Sequence, residues 1–217
     1  MRRVLALPSW VELRQRSPRL LVGLVLCGVA FSLPIRAGLG VDPWDVLHLG
    51  IAHRTGIPVG TVSVLVGLVV LLGWIPLRER VGIGTIANTI IIGVVIDIVL
   101  PRLPTAHSPA ARWAMLLSGV ALAGPGIGLY IGARLGPGPR DGIMTGVAKR
   151  GHSIRTVRTA IELTALLAGW LLGGTVGVGT LVFAVTIGPN VHFWLERLDL
   201  GEHPAANDPT AALTAAD

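Results

Sequence analysis

Two short turns decide how this chain is organised: Gly-Leu-Gly-Val-Asp-Pro-Trp-Asp at residues 38–45 and Gly-Pro-Gly-Pro-Arg-Asp-Gly at residues 136–142. Each turn combines glycines with a proline and an aspartate, which are the residues that favour the start of a helix. The segments that follow, 42–53 and 139–150, each have about a dozen residues. A helix of that length reaches only ~18 Å and is too short to cross a bilayer. The sequence therefore predicts two half-helices.

The composition places these half-helices in a membrane protein. Hydrophobic residues make up 52% of the 217 residues, charged residues make up only 14%, and the mean hydropathy is +0.70. Soluble domains carry roughly a quarter charged residues, so a disordered chain is excluded and an ordinary soluble enzyme is disfavoured. Six apolar segments have the length of a membrane span: 20–37, 58–77, 82–100, 113–133, 154–173 and 178–195.

The two turns belong to an internal repeat of about 95 residues. When the sequence is shifted by 96 positions, residues 20–76 align with residues 116–172 and 18 of the 57 aligned positions hold identical residues. A shift of 95 positions aligns the Gly-x-Gly-Thr motif at 82–85 with the same motif at 177–180. Each repeat then holds three spans and one half-helix. Because three is an odd number of crossings, we expect the second repeat to be inverted relative to the first. If the short segments cross as well, the chain has eight spans and the repeats run parallel.

These features predict an all-α membrane protein of six transmembrane helices and two half-helices, with the repeats at 20–100 and 113–195. A basic N-terminal arm at 1–19 and a polar, disordered tail at 199–217 flank them. With six spans, 14 of the 18 Lys and Arg residues fall on one side of the membrane. The positive-inside rule then places both termini in the cytoplasm.

The sequence argues against several other classes of protein. The net charge of +6 is no sign of nucleic-acid binding, because the cations lie between apolar runs and aromatic residues make up only 5%. We find no cluster of His, Cys and carboxylates with metal-ligand spacing and no pairing of a nucleophile with a base. We therefore predict no metal, no cofactor and no enzymatic activity.

Charged residues inside membrane spans are costly, so each is a candidate functional residue. Glu162 lies eight residues into the fifth span, one helical turn after Arg158. It is either a carboxylate that couples transport or half of an ion pair that holds helices together. Asp45 and Asp141 occupy aligned positions at the starts of the half-helices, where they either cap the helix or face a solute.

The remaining candidates lie near the same two turns. Arg140 is suited to hold an anion with its planar guanidinium, and it aligns with Trp44, so one half-site is polar and the other aromatic. Asn88 in the third span is a candidate for a hydrogen bond between helices. The candidate binding or coupling residues are therefore Trp44, Asp45, Asn88, Arg140, Asp141, Arg158 and Glu162.

The paired turns, the Gly-Trp pairs at 73–74 and 169–170, the Gly-x-Gly-Thr motifs and Ile-Gly-Pro at 187–189 resemble the bacterial YczE-like membrane proteins, which are related to the YitT group. The similarity extends over residues 20–195, and its most specific part is Pro-Arg-Asp-Gly at 139–142 together with Arg158 and Glu162. The resemblance implies a multi-pass protein of the bacterial plasma membrane, and it supplies no catalytic residues.

Two functions fit these observations. One is a small transporter or channel that moves a small polar or anionic solute between the half-helices. The other is a membrane scaffold or accessory protein for a partner enzyme or pump. The expected partners are the lipid bilayer, the solute and, since each repeat is small, a second copy of the chain.

Overall fold

The computed structural model describes residues 5–6 and 10–201. The predicted tail at 199–217 lies outside the described residues from residue 202 onward. The predicted arm at 1–19 is described only at 5–6 and from residue 10.

The regular secondary structure of the described residues is helical apart from one pair of two-residue strands. The first half contains α1 (Trp10–Ala37), the half-helix α2 (Pro43–Thr55), α3 (Val59–Leu72), the single turn α4 (Trp74–Leu77) and α5 (Ile83–Val99). The second half contains α6 (Pro109–Gly132), the half-helix α7 (Pro139–Ala148), α8 (Ile154–Leu171) and α9 (Val178–Leu198). The strands β1 (Leu5–Ala6) and β2 (Val81–Gly82) pair in parallel. The predicted all-α class is confirmed.

Five described helices, one fewer than the six predicted spans, are long and apolar enough to cross a membrane. They cover Leu13–Ala37, Val59–Leu77, Ile83–Arg102, Pro109–Gly132 and Val178–Leu198. The predicted span at 154–173 does form a helix, α8, of 18 residues. It is more polar than the others because three charged side chains lie along it, at Arg155, Arg158 and Glu162.

Helix α1 begins at Trp10, ten residues before the predicted span, so part of the basic arm is helical. Its arginines contact the ends of two other helices. The guanidinium of Arg16 is buried and donates to the carbonyl of Ala133 at 3.5 Å, and Arg19 donates to that of Leu198 at 3.4 Å. These cations therefore satisfy carbonyl groups that helix ends leave without an intrahelical partner.

A salt bridge holds the chain where α9 ends. Arg134, which follows α6, binds both carboxylate oxygens of Asp199. These hydrogen bonds lower the pKa of Asp199 to about 2, so this aspartate is ionised at any physiological pH.

Helices α1 and α6 form the central pair, and glycines let their backbones touch. A Cβ atom on Gly23 would lie 2.8 Å from the carbonyl oxygen of Gly126, and one on Gly119 would lie 2.6 Å from that of Ala30. Residue numbers rise along α1 as they fall along α6, so the two helices are antiparallel. Such close packing through small residues is typical of helices in lipid.

Helix α3 packs against α5 through a second glycine contact. A Cβ on Gly93 would lie 2.4 Å from the carbonyl oxygen of Gly60. Asp97 closes the contact by accepting hydrogen bonds from the amide of Gly60 at 2.6 Å and the hydroxyl of Thr61 at 2.7 Å. Gly188, which aligns with Gly93 in the sequence, has no heavy atom within 4 Å of its Cβ position.

This difference predicts opposite outcomes for the same substitution at two aligned positions. We expect Gly93→Ala to destabilise the protein by about 1–3 kcal/mol, because the new methyl group forces α3 and α5 apart. Gly188→Ala should be neutral or slightly stabilising, since it adds helix propensity in open space. Thermal unfolding of the detergent-solubilised variants checks this. Equal melting temperatures for the two variants would contradict the packing described here.

Candidate functional site

The beginnings of α2 and α7 lie next to each other inside the helical framework. The Nη1 atom of Arg140, at the start of α7, is 3.7 Å from Oδ1 of Asp42, and its Nη2 atom is 3.9 Å from Oδ1 of Asp45. The guanidinium also lies over the ring of Trp44, 5.1 Å from its centroid. We call Asp42, Trp44, Asp45, His48, Arg140 and Asp141 the half-helix cluster.

Asp42 is the residue that caps α2. Its Oδ1 atom accepts hydrogen bonds from the amides of Trp44 at 2.9 Å and Asp45 at 3.3 Å. Of the two roles that the sequence leaves open for Asp45, capping α2 therefore belongs to Asp42 instead. Because Asp42 already satisfies the first free amides of the helix, the side chain of Asp45 is available for other contacts.

Asp45 faces inward, where it meets a histidine one turn later on the same helix. Its Oδ1 atom lies 3.1 Å from Nδ1 of His48, and both residues are almost completely buried. This distance is that of a hydrogen bond between side chains. The pair adds an imidazole to a set of groups that already contains two carboxylates.

Asp141 lies on the α7 side of the cluster. The hydroxyl of Tyr130 on α6 donates to its Oδ2 atom at 3.3 Å. The amide nitrogen of Asn88 on α5 lies 3.6 Å from the Cβ position of Gly138, a position that also neighbours Asp141 and Tyr130. Asn88 therefore borders the cluster from a third helix.

Trp74 fixes the start of α7. Its indole nitrogen donates to the carbonyl of Pro139 at 3.0 Å, and its ring lies against Gly142, where any side chain would collide with it. Trp74 is almost fully buried. The single turn α4 thus positions Arg140 and Asp141 from outside the cluster.

Two buried polar atoms of the cluster have no hydrogen-bond partner among the described residues: Oδ2 of Asp42 and Nε1 of Trp44. Such atoms are rare in folded proteins because each costs the free energy of its lost hydration. Their presence at one place makes the cluster a candidate binding site for a polar ligand.

A hollow of about 320 Å³ adjoins the cluster between α2 and α8. Its lining residues are Trp44, Leu47, Ala160, Ile161, Thr164, Ala165 and Ala168. Trp44 belongs to both the hollow and the cluster, so its side chain borders both the apolar space and the charged groups.

The structure brings most of the predicted site residues together. Trp44, Asp45, Arg140 and Asp141 lie in the cluster, and Asn88 lies at its edge. Arg158 and Glu162 instead form an exposed ion pair on α8, with Nε and Oε1 at 2.8 Å.

Sequence reasoning missed three contributors to the site. Asp42 was missed because the residue aligned with it in the second half is Gly138, which is not acidic. His48 and Tyr130 were missed because a single buried histidine or tyrosine gives no periodic signal in the sequence. The proximity of Asp42 to Asp45, one turn apart at a helix start, was the available indication for it. His48 and Tyr130 join only through tertiary packing. Among the described residues, no three His, Cys, Asp or Glu side chains are placed to hold a metal ion.

Comparisons with known proteins agree with this architecture. Residues 15–196 match a family described as "Family of unknown function (DUF6198)". The chain belongs to this family. Its DUF6198 region takes in all the helices of the half-helix cluster, and it contains every residue singled out from the sequence as a candidate.

Curated relatives support the membership. A protein of Haemophilus influenzae, named only as uncharacterised, is 42% identical over 177 residues, which is 81% of each chain. The "Uncharacterized membrane protein YczE" of Bacillus subtilis is 35% identical over 81% of this chain and 83% of its own length. The Bacillus subtilis protein YyaS is 25% identical over 80% of this chain and 89% of its own. The resemblance to YczE-like membrane proteins is thereby confirmed. No solved structure matches the chain.

The cluster predicts that Arg140 stabilises the fold through its charge. Arg140→Ala leaves Asp42, Asp45 and Asp141 without a guanidinium, and we expect a loss of about 2 kcal/mol, since a side chain that is one-third exposed is partly compensated by solvent. Adding Asp45→Asn to this variant should restore part of the loss. Thermal unfolding in detergent measures both effects.

Arg158→Ala is the matched control, because the Arg158 side chain is 57% exposed and its pair with Glu162 contributes little. If Arg140→Ala and Arg158→Ala lower the melting temperature equally, the cluster has no special electrostatic role.

Proposed function

We propose that this membrane protein is a small-solute transporter whose binding site is the half-helix cluster. The observation that supports this most directly is the meeting of two half-helix starts around buried charged groups. In a membrane, helix ends inside the hydrocarbon region are tolerated only against protein or a water-filled cavity, and in transporters they form the substrate site.

We further propose that the two halves are inverted repeats. Reciprocal contacts support this. Where a residue of the first half contacts a residue of the second half, the residues aligned with them make the same contact in the opposite direction. The amide of Gly84 donates to the carbonyl of Leu135 at 2.8 Å, and that of Gly179 donates to Leu39 at 2.7 Å. In the sequence alignment Gly84 corresponds to Gly179 and Leu39 to Leu135. Such exchange is the property of a twofold relation.

The direction of the proposed axis follows from the central pair. Helices α1 and α6 are counterparts in the repeat, and they run antiparallel through reciprocal contacts at Gly23 and Gly119. A twofold axis that reverses a membrane-spanning helix lies in the membrane plane. Under this arrangement α2 and α7 enter from opposite faces, and their starts meet near the middle of the bilayer.

The two halves differ where a transporter needs movement. In the first half α3 packs against α5, and Asp97 completes that contact, which we call the α3–α5 seam. In the second half α8 packs against α2 instead, and a Cβ atom on Gly169 would lie only 2.4 Å from the backbone nitrogen of Leu47. The exposed position of Gly188 leaves the α8–α9 seam without the corresponding glycine contact. We propose that α3 and α8 exchange these positions to give alternating access to the cluster.

The Gly-Trp pairs support the same exchange. Trp74 is inserted against α7, whereas its counterpart Trp170 is 60% exposed. A swap of the two arrangements would withdraw Trp74 and bring Trp170 toward α2. We also propose that the protein lies in the plasma membrane with both termini in the cytoplasm, because the positive-inside rule applied to its cation distribution favours that orientation.

Reconstituted protein tests the transport function. We expect at least one member of a panel containing an amine, an amino acid, a sugar and an organic acid to cross proteoliposome membranes only when the protein is present. Asp45→Asn should reduce this flux at least tenfold, because it removes a buried charge from the cluster.

Glu196→Gln is the control for flux, since Glu196 is an exposed carboxylate on α9 that pairs with His192. A scaffold or accessory protein would show no flux for any solute and would co-purify with a fixed partner in wild-type and Asp45→Asn forms alike. That combination would refute transport.

Paired cysteines test the exchange of seams in a Cys27→Ala background. Thr61→Cys with Asp97→Cys should cross-link readily with a short bifunctional thiol reagent, because the wild-type side chains are hydrogen-bonded at 2.7 Å. The aligned pair, Val157→Cys with His192→Cys, should cross-link slowly and only as the second seam closes. Each cross-link should arrest flux. If the 157–192 pair never reacts in an actively transporting protein, the proposed exchange does not occur.

A further inference from the structure

The charges of the half-helix cluster do not balance. Three carboxyl groups, those of Asp42, Asp45 and Asp141, face one guanidinium, so acidic groups outnumber the cation by two. With all three ionised and His48 neutral, the two half-helix starts, at about half a positive charge each, leave roughly one negative charge. The other cation near Asp141 is Arg158, and Glu162 already neutralises it at 2.8 Å.

An excess charge in such a place is neutralised either by a proton on a carboxyl group or by a counter-charge. Asp45 is only 3% exposed, and the free energy of burying an unpaired carboxylate is large. The Oδ2 atom of Asp42 is buried and accepts no hydrogen bond within the described chain. A ligand that completes this site therefore has to donate a hydrogen bond to Oδ2, and a cation that does so also balances the charge.

Arg140 leaves room for such a group. Its distances of 3.7 and 3.9 Å to the two carboxylates exceed those of direct hydrogen bonds, and a third of its side chain is exposed. An incoming cation can therefore bind the carboxylate oxygens without breaking a close ion pair. An anion that approached the guanidinium of Arg140 would instead be repelled by the two carboxylates beside it.

The adjoining hollow indicates what the rest of the ligand is like. Its volume of about 320 Å³ lies at the lower end of small-molecule sites, and all but one of its lining residues are apolar. Trp44, which is 8% exposed, lines this space and also contacts Arg140 beside the carboxylates. An aromatic face beside carboxylates is a favourable place for an organic cation.

We infer that the solute is a small organic cation, with an ammonium group held by Asp42 and Asp45 and an apolar body in the hollow between α2 and α8. The identity of this solute as cargo rests on the proposed transport function. Its binding does not, and is measured separately.

Three compounds of nearly equal shape test the inference: 2-phenylethylamine, 2-phenylethanol and phenylacetate. We expect purified full-length protein in detergent to bind radiolabelled 2-phenylethylamine saturably, and the alcohol and the acid to compete at least tenfold more weakly. Asp42→Asn should weaken amine binding at least tenfold. Asparagine also caps helices, so α2 should persist in this variant.

Two further variants complete the binding experiment. Ala160→Leu should weaken amine binding by filling the hollow, since Ala160 lines it and is exposed to the outside. Glu196→Gln, which alters a carboxylate outside the cluster, should bind like the wild type. Melting temperatures of all three variants show whether the fold is retained.

The outcomes separate this inference from the transport proposal. Amine binding that depends on Asp42, without flux of any solute, would support the cation site and refute transport. Flux of another solute, with no amine binding or equal binding of all three compounds, would overturn the cation inference and leave transport standing. Tighter binding of phenylacetate than of the amine would also overturn it.

Discussion

The arrangement depends on one constraint: two helices begin inside a protein that lies in lipid, and their free amide groups must be satisfied there. Each unsatisfied backbone group in a bilayer costs several kcal/mol, so the helix starts need capping groups and polar neighbours. Asp42 caps α2 with its own carboxylate, whereas α7 begins after Gly138 without a side-chain cap and is held by a hydrogen bond from Trp74 to the carbonyl of Pro139. The charged side chains gathered there, those of Asp45 and Arg140 above all, supply the polar surroundings that water provides at an exposed helix start.

The half-helices could be predicted because their signals are local. Gly, Pro and Asp at the two turns determine backbone conformation within a few residues, and α2 and α7 occupy the predicted segments to within a few residues at either end. The role of Asp45 could not be decided in advance, because Asp42 and Asp45 both suit a helix start and only the backbone conformation at Asp42 identifies it as the cap. The span predicted at 154–173 does form a helix, α8. It is not among the five candidate spans, because Arg155, Arg158 and Glu162 lie along its 18 residues and make it more polar than the other long helices.

Repeats predict which contacts can form, but not which of two equivalent contacts is made. The alignment of Gly93 with Gly188 gives no hint that one is tightly packed and the other exposed. That difference arises because Gly60 aligns with Thr156, whose side chain would obstruct the same close approach. Asp97 likewise aligns with His192, whose Nε2 atom lies 3.2 Å from Oε1 of Glu196 on its own helix. Divergence at a few seam positions is therefore enough to give two similar halves different partners.

The glycine contact between α1 and α6 has a consequence for how this family can diversify. Backbones that touch at Gly23 and Gly119 have no slack, so almost any substitution there is penalised whatever compound the protein handles. The walls of the hollow on α8 are under no such restriction, because alanines and threonines there can be enlarged or made polar one at a time. Under the proposed function, substitutions along α8 can change the ligand preference while the α1–α6 contact is retained, and related proteins should differ most along α8.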